Sequence, residues 1–432
     1  MSSNSRDTTA APIVISWNLT RLCNLACGHC YLDAVSRKRE APDELRTEEA
    51  LGVIDQLAET APGAMLILTG GEPLLRRDLV DLVRAASRKG LMPVIGTNGT
   101  LVSAERARML KDAGCAGVGI SLDSANPGFH DRLRGVAGAW QRAIEGIEAA
   151  RDAGLAILMQ TTLFEENRHD LPAMADLAER FGAMAFNLFF LVCTGRGVTQ
   201  TDLSAETYEE TLREIDRLQR ERPSLKIRAR CAPYMRRIEG LRASESRDGY
   251  AEWSSACLAG RRYFRITPQG YITPCPYIPA VAGSLRMQTL REIWQESPLF
   301  ARLRDELPGG KCGACDYRLS CGGCRARAHA AGGDIMAEDP KCSYIPPAGA
   351  EPETRIEAVT PPIAWTPEAR DRLTRIPAFL RERIRARLEE RARAQGLSEI
   401  NAEFMAAHRP GFLTGTLHHA GAVIADEQIQ DK

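Results

Sequence analysis

Ile13-Val14-Ile15-Ser16-Trp17-Asn18-Leu19 runs toward Cys23-Asn24-Leu25-Ala26-Cys27-Gly28-His29-Cys30. The first stretch has the β-branched and aromatic content of a buried strand. The second sets three thiols at its carboxyl end. Three thiolates can hold three corners of an iron–sulfur cubane and leave one iron open, and an open metal position is where chemistry takes place. The competing reading is a zinc site that borrows a fourth ligand, with His29 the nearest candidate.

Outward from this stretch the pattern alternates strand and helix. Apolar runs recur at residues 64–68, 93–96, 117–122, 155–162 and 184–192. Between them lie segments with apolar residues at three- and four-residue spacing, such as Ala50-Leu51, Val53-Ile54 and Leu57, or Ile144, Ile147 and Ala150. Such strand–helix units imply a parallel sheet with right-handed crossovers. Six units are fewer than the eight of a closed barrel. The expected fold is therefore α/β, a partial (β/α)6 TIM-like barrel over residues 13–222 that ends with a helix at about 206–222. Ligands of such folds sit at the carboxyl ends of the strands. Three polar sets fall there: Thr69-Gly70-Gly71-Glu72-Pro73, Thr97-Asn98-Gly99-Thr100 and Ser121-Leu122-Asp123. The backbone of the first set and the Glu72 carboxylate suit the ammonium of an amino-acid ligand.

Composition narrows the function classes. The 432 residues carry 56 basic and 56 acidic side chains, a formal charge of zero. Nothing therefore draws the chain globally to nucleic acid or anionic lipid. No apolar run approaches the roughly 18 residues that span a bilayer. The polar opening leads into no signal-type stretch, so residues 1–12 are expected to be a disordered N-terminus and the chain cytoplasmic. Reduced thiols in that compartment point to metal or redox chemistry, and 13 cysteines cannot pair completely.

Residues 223–346 have a different texture. Pro223 opens a polar stretch through Glu252, and Tyr263–Thr267, Pro268-Gln269-Gly270 and Tyr271–Thr273 read as a β-hairpin. Cys257, Cys275, Cys312, Cys315, Cys321, Cys324 and Cys342 crowd this region. Two Cys-x2-Cys pairs also suit a zinc ribbon. A Pro-, Glu- and Thr-rich linker is expected at 347–362, a small helical domain at 363–410 and a flexible tail at 411–432. In the helical domain Thr366 and Pro367 form a helix start, Leu373, Ile376, Leu380, Ile384 and Leu388 an apolar face, and Gly396 a stop. Arg381, Arg383, Arg385, Arg387 and Arg391 give a solvated face. Cys115, Cys193 and Cys231 stand alone and read as small buried hydrophobes.

The three-cysteine spacing, the Gly70-Gly71-Glu72-Pro73 motif and the partial barrel resemble the radical S-adenosylmethionine (SAM) superfamily. The resemblance implies that Cys23, Cys27 and Cys30 ligate a [4Fe-4S] cluster whose open iron takes the SAM amino and carboxylate groups. It implies that Gly70, Gly71, Glu72 and Pro73 hold the methionine end. Asn98, Ser121 and Asp123 would lie on the SAM face near the ribose, and His29 near the adenine. Reductive SAM cleavage to a 5′-deoxyadenosyl radical would abstract a substrate hydrogen, with an electron donor such as flavodoxin or ferredoxin. The later cysteines resemble the SPASM/twitch extension, which carries one or two auxiliary iron–sulfur clusters. By that likeness Cys312, Cys315, Cys321 and Cys342 hold one, and Cys257, Cys275 and Cys324 hold another with an incomplete ligand set. One departure is that two residues, not three, separate Cys321 from Cys324. Cys231 is a candidate to complete the second set.

The stretches Phe189–Gly197, His130–Gly135 and Thr273–Tyr277 look most like the radical enzymes of haem d1 and alternative haem biosynthesis, and more distantly like the mycofactocin peptide maturase. Residues 365–404 resemble the small helical domain of light-independent protochlorophyllide reductase. Three functions follow: modification of a tetrapyrrole side chain, maturation of a precursor peptide, or a catalytically idle iron–sulfur carrier. For a tetrapyrrole, Phe189, Phe190, Arg196, Arg132 and Arg134 are the expected apolar and cationic contacts.

Overall fold

The computed structural model describes residues 10–32, 34, 41–199, 202–242, 257–353 and 363–408. Most of the expected disordered N-terminus and of the linker, and all of the expected flexible tail, lie outside these residues. Ten strands form one sheet: β1 (Val14–Asn18), β2 (Met65–Thr69), β3 (Met92–Thr97), β4 (Gly117–Ser121), β5 (Ala156–Leu163), β6 (Ala185–Phe190), β7 (Lys226–Arg230), β8 (Tyr263–Ile266), β9 (Tyr271–Thr273) and β10 (Gly283–Ser284). The order is β10-β9-β8-β1-β2-β3-β4-β5-β6-β7. From β8 to β7 every pairing is parallel. Among the described residues β7 and β8 do not pair with each other, so the barrel stays open between them.

Burial alternates along the strands, and the alternation defines two faces. Leu66, Leu68, Ile157, Met159, Phe186, Leu188, Ile227 and Ala229 belong to one continuous core with helix residues such as Val53, Ile54, Leu212 and Ile215. That face packs on the helices. The residues between them turn to the concave side, away from the helices. β5 reads alternately half-buried and buried along its whole length.

Two expectations change. The barrel does not end at residue 222, because β7 pairs with β6 from Lys226↔Ala185 to Arg230↔Phe189. Lys226-Ile227-Arg228-Ala229-Arg230 falls in the polar stretch that Pro223 opens, yet Ile227 and Ala229 face the core, and the Ile227 N–H is fixed by Gln219 of the helix Ala205–Glu221 at 2.8 Å. The hairpin forms as expected, but β8 also pairs in parallel with β1, which ties the cysteine-rich region to the barrel sheet.

Residues 363–408 form a core of their own around Trp365, Leu380, Ile384, Leu388, Ile400 and Met405. Thr366 caps the helix Pro367–Thr374, accepting the Ala369 N–H at 3.2 Å. The apolar face read across 373–388 belongs to two helices, since Pro377 precedes the second, Ala378–Ala394. No described helix is long and apolar enough to cross a membrane.

Candidate active site

The loop after β1 gathers Cys23, Cys27 and Cys30 around Leu25, Ala34, Val136 and Ala139. Burial lifts the Cys23 thiol to about 11 and raises that of Cys27 against the pull of Arg134. Thiols so held ionise readily only beside a metal that takes up the charge.

Four segments brace this loop. The first is Gly70-Gly71-Glu72-Pro73, where the Gly71 and Glu72 N–H groups donate to Thr20 and Leu22 carbonyls, each at 2.8 Å. A Cβ on Gly71 would stand 2.2 Å from the Leu22 oxygen, and one on Gly70 2.6 Å from that of Thr20. Only glycine permits this approach. The Glu72 carboxylate is fully enclosed: it accepts from Thr97 Oγ1 at 2.8 and 2.9 Å, Asn98 N at 2.9 Å and Leu74 N at 3.1 Å. Burial raises its pKa in spite of these donors. The acidic group expected to meet a ligand ammonium is thus turned to the end of β3. Pro73, also buried, starts a short 3-10 turn.

The second brace is Asn98. Its Nδ2 donates to Asn24 Oδ1 at 2.9 Å, inside the cysteine loop, and its Oδ1 accepts from Thr100. The third is the helix Pro127–Arg134, whose Arg134 and Leu133 carbonyls accept the Ala26 and Gly28 N–H groups at 3.1 and 2.9 Å. Arg134 itself donates to Asp123 and to Cys27 Sγ. The fourth is Thr194-Gly195-Arg196. A Cβ on Gly195 would meet the Cys30 oxygen at 2.6 Å, and Arg196 donates to the Cys27 and Ala34 carbonyls at 3.0 and 3.1 Å.

The arrangement gives several of the expected residues partners within the protein. Asp123 is wholly buried, with one oxygen on Arg134 and the other accepting Thr162 N at 3.1 Å, so it positions the loop and does not face a ligand. Arg134 and Arg196 are bound to the cysteine loop. Phe190 is stacked on Tyr208 at 4.1 Å on the helix side of the sheet. Arg132 lies over Phe129 at 5.8 Å. Ser121 is half-buried at the end of β4, its hydroxyl without a partner among the described residues, and suits a ligand hydroxyl. His29 packs edge-on to Phe164 at 5.4 Å; its Nδ1 is buried without a partner, and burial lowers its pKa to about 4. A neutral imidazole with an open nitrogen fits a heterocyclic ligand such as adenine.

The concave face beside the loop carries the expected Ser121 and Phe189 together with residues that the linear pattern hid. Ser121, Gln160, Asn187 and Arg228 pair in one row across β4 to β7, and Thr162, Phe189 and Arg230 form the next. Ser16 and Arg265 pair on β1 and β8. Arg265 donates to the Pro276 carbonyl at 2.8 Å, while its buried Nε has no partner. Tyr31 follows Cys30 directly, accepts from Asn18 at 2.9 Å and meets Tyr277 at 5.3 Å. Tyr31 lies near Arg265, Cys30 and Cys275.

The later cysteines surround spaces. Cys312, Cys315, Cys321 and Cys342 line one small open pocket with Lys311, Tyr317 and Tyr344. Among the described residues no three His, Cys, Asp or Glu side chains converge on one point as ligands of a single metal ion do.

Residues 17–178 match the model of the radical SAM superfamily, and residues 257–322 that of an iron–sulfur cluster-binding domain, SPASM. Residues 365–409 match the proto-chlorophyllide reductase 57 kD subunit. The chain belongs to the radical SAM superfamily, as an enzyme that uses SAM and iron–sulfur clusters. It is 40% identical over 346 residues to the AdoMet-dependent heme synthase of Methanosarcina barkeri, covering 78% of this chain and 98% of the relative. It is 32% identical over 378 residues to the pre-heme d1 synthase of Dinoroseobacter shibae, covering 82% and 91%. The structure of Streptococcus suis SuiB bound to precursor peptide SuiA shares the fold, with a TM-score of 0.63, 17% identity and coverage of 77% and 76%.

Proposed function

We propose that this enzyme modifies a side chain of a carboxylate-bearing tetrapyrrole. The observation that carries the reading is the concave face. Phe189, Tyr31 and Tyr277 give it aromatic walls, and Arg228, Arg230 and Arg265 give it cations. A broad apolar disc edged with carboxylates needs that combination. The similarity to the heme synthase supports the same substrate class.

In this reading Cys23, Cys27 and Cys30 hold the catalytic cluster, and the Gly70–Pro73 backbone, Ser121 and His29 face SAM. Bound there, SAM and the cluster supply a radical able to abstract an unactivated hydrogen. The protein's part is positioning. The four braces fix the cysteine loop against the ends of β2, β3, β4 and β6, and the concave face orients the substrate edge beside it. Cys312, Cys315, Cys321 and Cys342 hold one auxiliary cluster, and Cys257, Cys275 and Cys324 belong to a second. A flavodoxin or ferredoxin type of donor supplies electrons, in the cytoplasm.

The test is anaerobic titration of the cluster-loaded protein with Fe-coproporphyrin III, followed by absorbance. Saturable binding at one equivalent, and its conversion only with SAM and reductant, is the expected result. Absence of binding would overturn the substrate class and put maturation of a precursor peptide in its place.

A further inference from the structure

Cys231 follows β7 and lies outside the residues matched by the cluster-domain model. It is the only non-glycine residue with positive φ among the described residues, at 57°. An L-residue held there is strained, and such strain persists only where the surroundings over-determine it. They do so here. The Cys231 carbonyl accepts from the Tyr208 hydroxyl at 2.9 Å and from Arg327. Arg327 sits in the first turn of the helix Arg325–Gly332, which Cys324 caps, and it pairs with buried Asp339. Asp339 in turn accepts the Cys324 N–H at 2.7 Å. One Arg–Asp pair therefore sets the backbones of Cys231 and Cys324 against each other.

Two further thiols share the place. Burial raises the Cys231 and Cys275 thiols, and nearby thiols add to the rise: Cys324 and Cys257 at Cys231, and Cys231, Cys257 and Cys324 at Cys275. Cys275 and Cys231 both pack against the main core. The other solitary cysteines behave differently. Cys115 is buried with its thiol on the Gly117 carbonyl at 3.3 Å, and Cys193 faces Asp202 and Lys341. Those two have packing surroundings, whereas Cys231 shares its region with three other thiols.

We propose that Cys231 is the fourth thiolate ligand of the auxiliary cluster held by Cys257, Cys275 and Cys324, which makes that cluster fully protein-ligated. The inference rests on the iron–sulfur reading of those three cysteines. A closed ligand set suits a cluster that passes electrons and leaves no iron to bind substrate.

The test compares wild type, Cys231→Gly, Cys231→Ala and Cys115→Ala after anaerobic reconstitution, reading iron, zinc, sulfide and the electron paramagnetic resonance spectrum before and after mild oxidation. Glycine accepts positive φ without strain, so Cys231→Gly removes the thiol and keeps the backbone. Wild type should hold about twelve irons per chain, four for each of three cubanes. Both Cys231 variants should lose iron, from about one to about four atoms, and show a three-iron signal or one fewer cluster; Cys115→Ala should match wild type. Twelve irons and an unchanged spectrum in Cys231→Gly would overturn the role of Cys231 alone. About eight irons in wild type would overturn it by removing the cluster. Zinc in place of auxiliary iron would instead overturn the iron–sulfur reading beneath it.

Discussion

Arg134 donates Nε and Nη2 to one oxygen of Asp123, at 2.7 and 2.6 Å, in a pair almost wholly sealed from solvent. The remaining nitrogen, Nη1, points at Cys27 Sγ at 3.7 Å. The charged pair is thus an internal strut between the end of β4 and the cysteine loop. Arg134→Gln would leave the Asp123 carboxylate buried and unpaired, a loss of about 3–5 kcal/mol. Denaturant titration should show that loss, and Asp123→Asn in the same chain should restore more than half of it. The cluster on Cys27 should also become harder to reduce, because hydrogen bonds to cluster sulfurs raise the potential. Redox titration by electron paramagnetic resonance would read that shift, with the auxiliary signals unmoved.

Gly71→Ala tests the brace at the end of β2. The new methyl cannot be accommodated 2.2 Å from a backbone oxygen, so residues 20–22 must shift and carry Cys23 with them. Reconstituted protein should lack about four irons, those of one cubane, and should form no 5′-deoxyadenosine. Full iron content with normal SAM cleavage would show that the loop tolerates displacement.

The cations of the concave face give a binding prediction. Arg228→Ala and Arg265→Ala should each weaken Fe-coproporphyrin III by about tenfold or more, since a desolvated charge pair that loses one partner costs at least 1.4 kcal/mol. SAM affinity should stay within about twofold. Arg196→Ala should behave differently: its contacts are to the Cys27 and Ala34 carbonyls, so it should lower cluster occupancy first. Equal porphyrin affinity in wild type and both concave-face variants would remove these residues from the substrate site.

His130 predicts a pH dependence of stability. It is buried, its Nδ1 accepts the Asp123 N–H at 3.1 Å, and burial lowers its pKa to about 4. The unfolded chain, with an ordinary value of about 6.5, binds more protons between these limits. Stability should therefore fall as pH drops from about 6.5 to about 4, by up to about 3 kcal/mol, and be flat with respect to this group above 6.5. His29, also lowered to about 4, adds in the same direction. His130→Gln keeps an acceptor for the Asp123 N–H without a titrating group. Its urea midpoint should decline less than that of wild type over this range, and parallel curves would contradict the assignment.

Much of the barrel was legible because its strands bury one face in a shared core. Short apolar runs mark β2 and β5, and helical spacing marks Thr47–Thr60 and Ala139–Asp152. The carboxyl ends of β2, β3 and β4 fall at Thr69, Thr97 and Ser121, where the polar sets begin. β7 was not legible. Its outward residues are one isoleucine and one alanine, and its inward ones are cations whose surroundings exist only once the sheet curves around them.

The sequence by itself determined the chemistry: thiol spacing is a local property, and three cysteines on one loop can hold a cluster whatever lies around them. It also determined the alternation that makes a parallel sheet. Only the tertiary structure decided what the remaining polar residues do. Glu72, Asp123, Arg134 and Arg196 look like ligand-binding groups in the chain, yet each finds its partner in a segment many residues away and is enclosed by it or bound to it. Arg228, Arg265 and Cys231 look like surface charge or packing. They take their place from the pairing of β7 with β6 and β8 with β1, which no local pattern encodes. A charged side chain means one thing in water and another when folding removes the water and supplies the opposite charge.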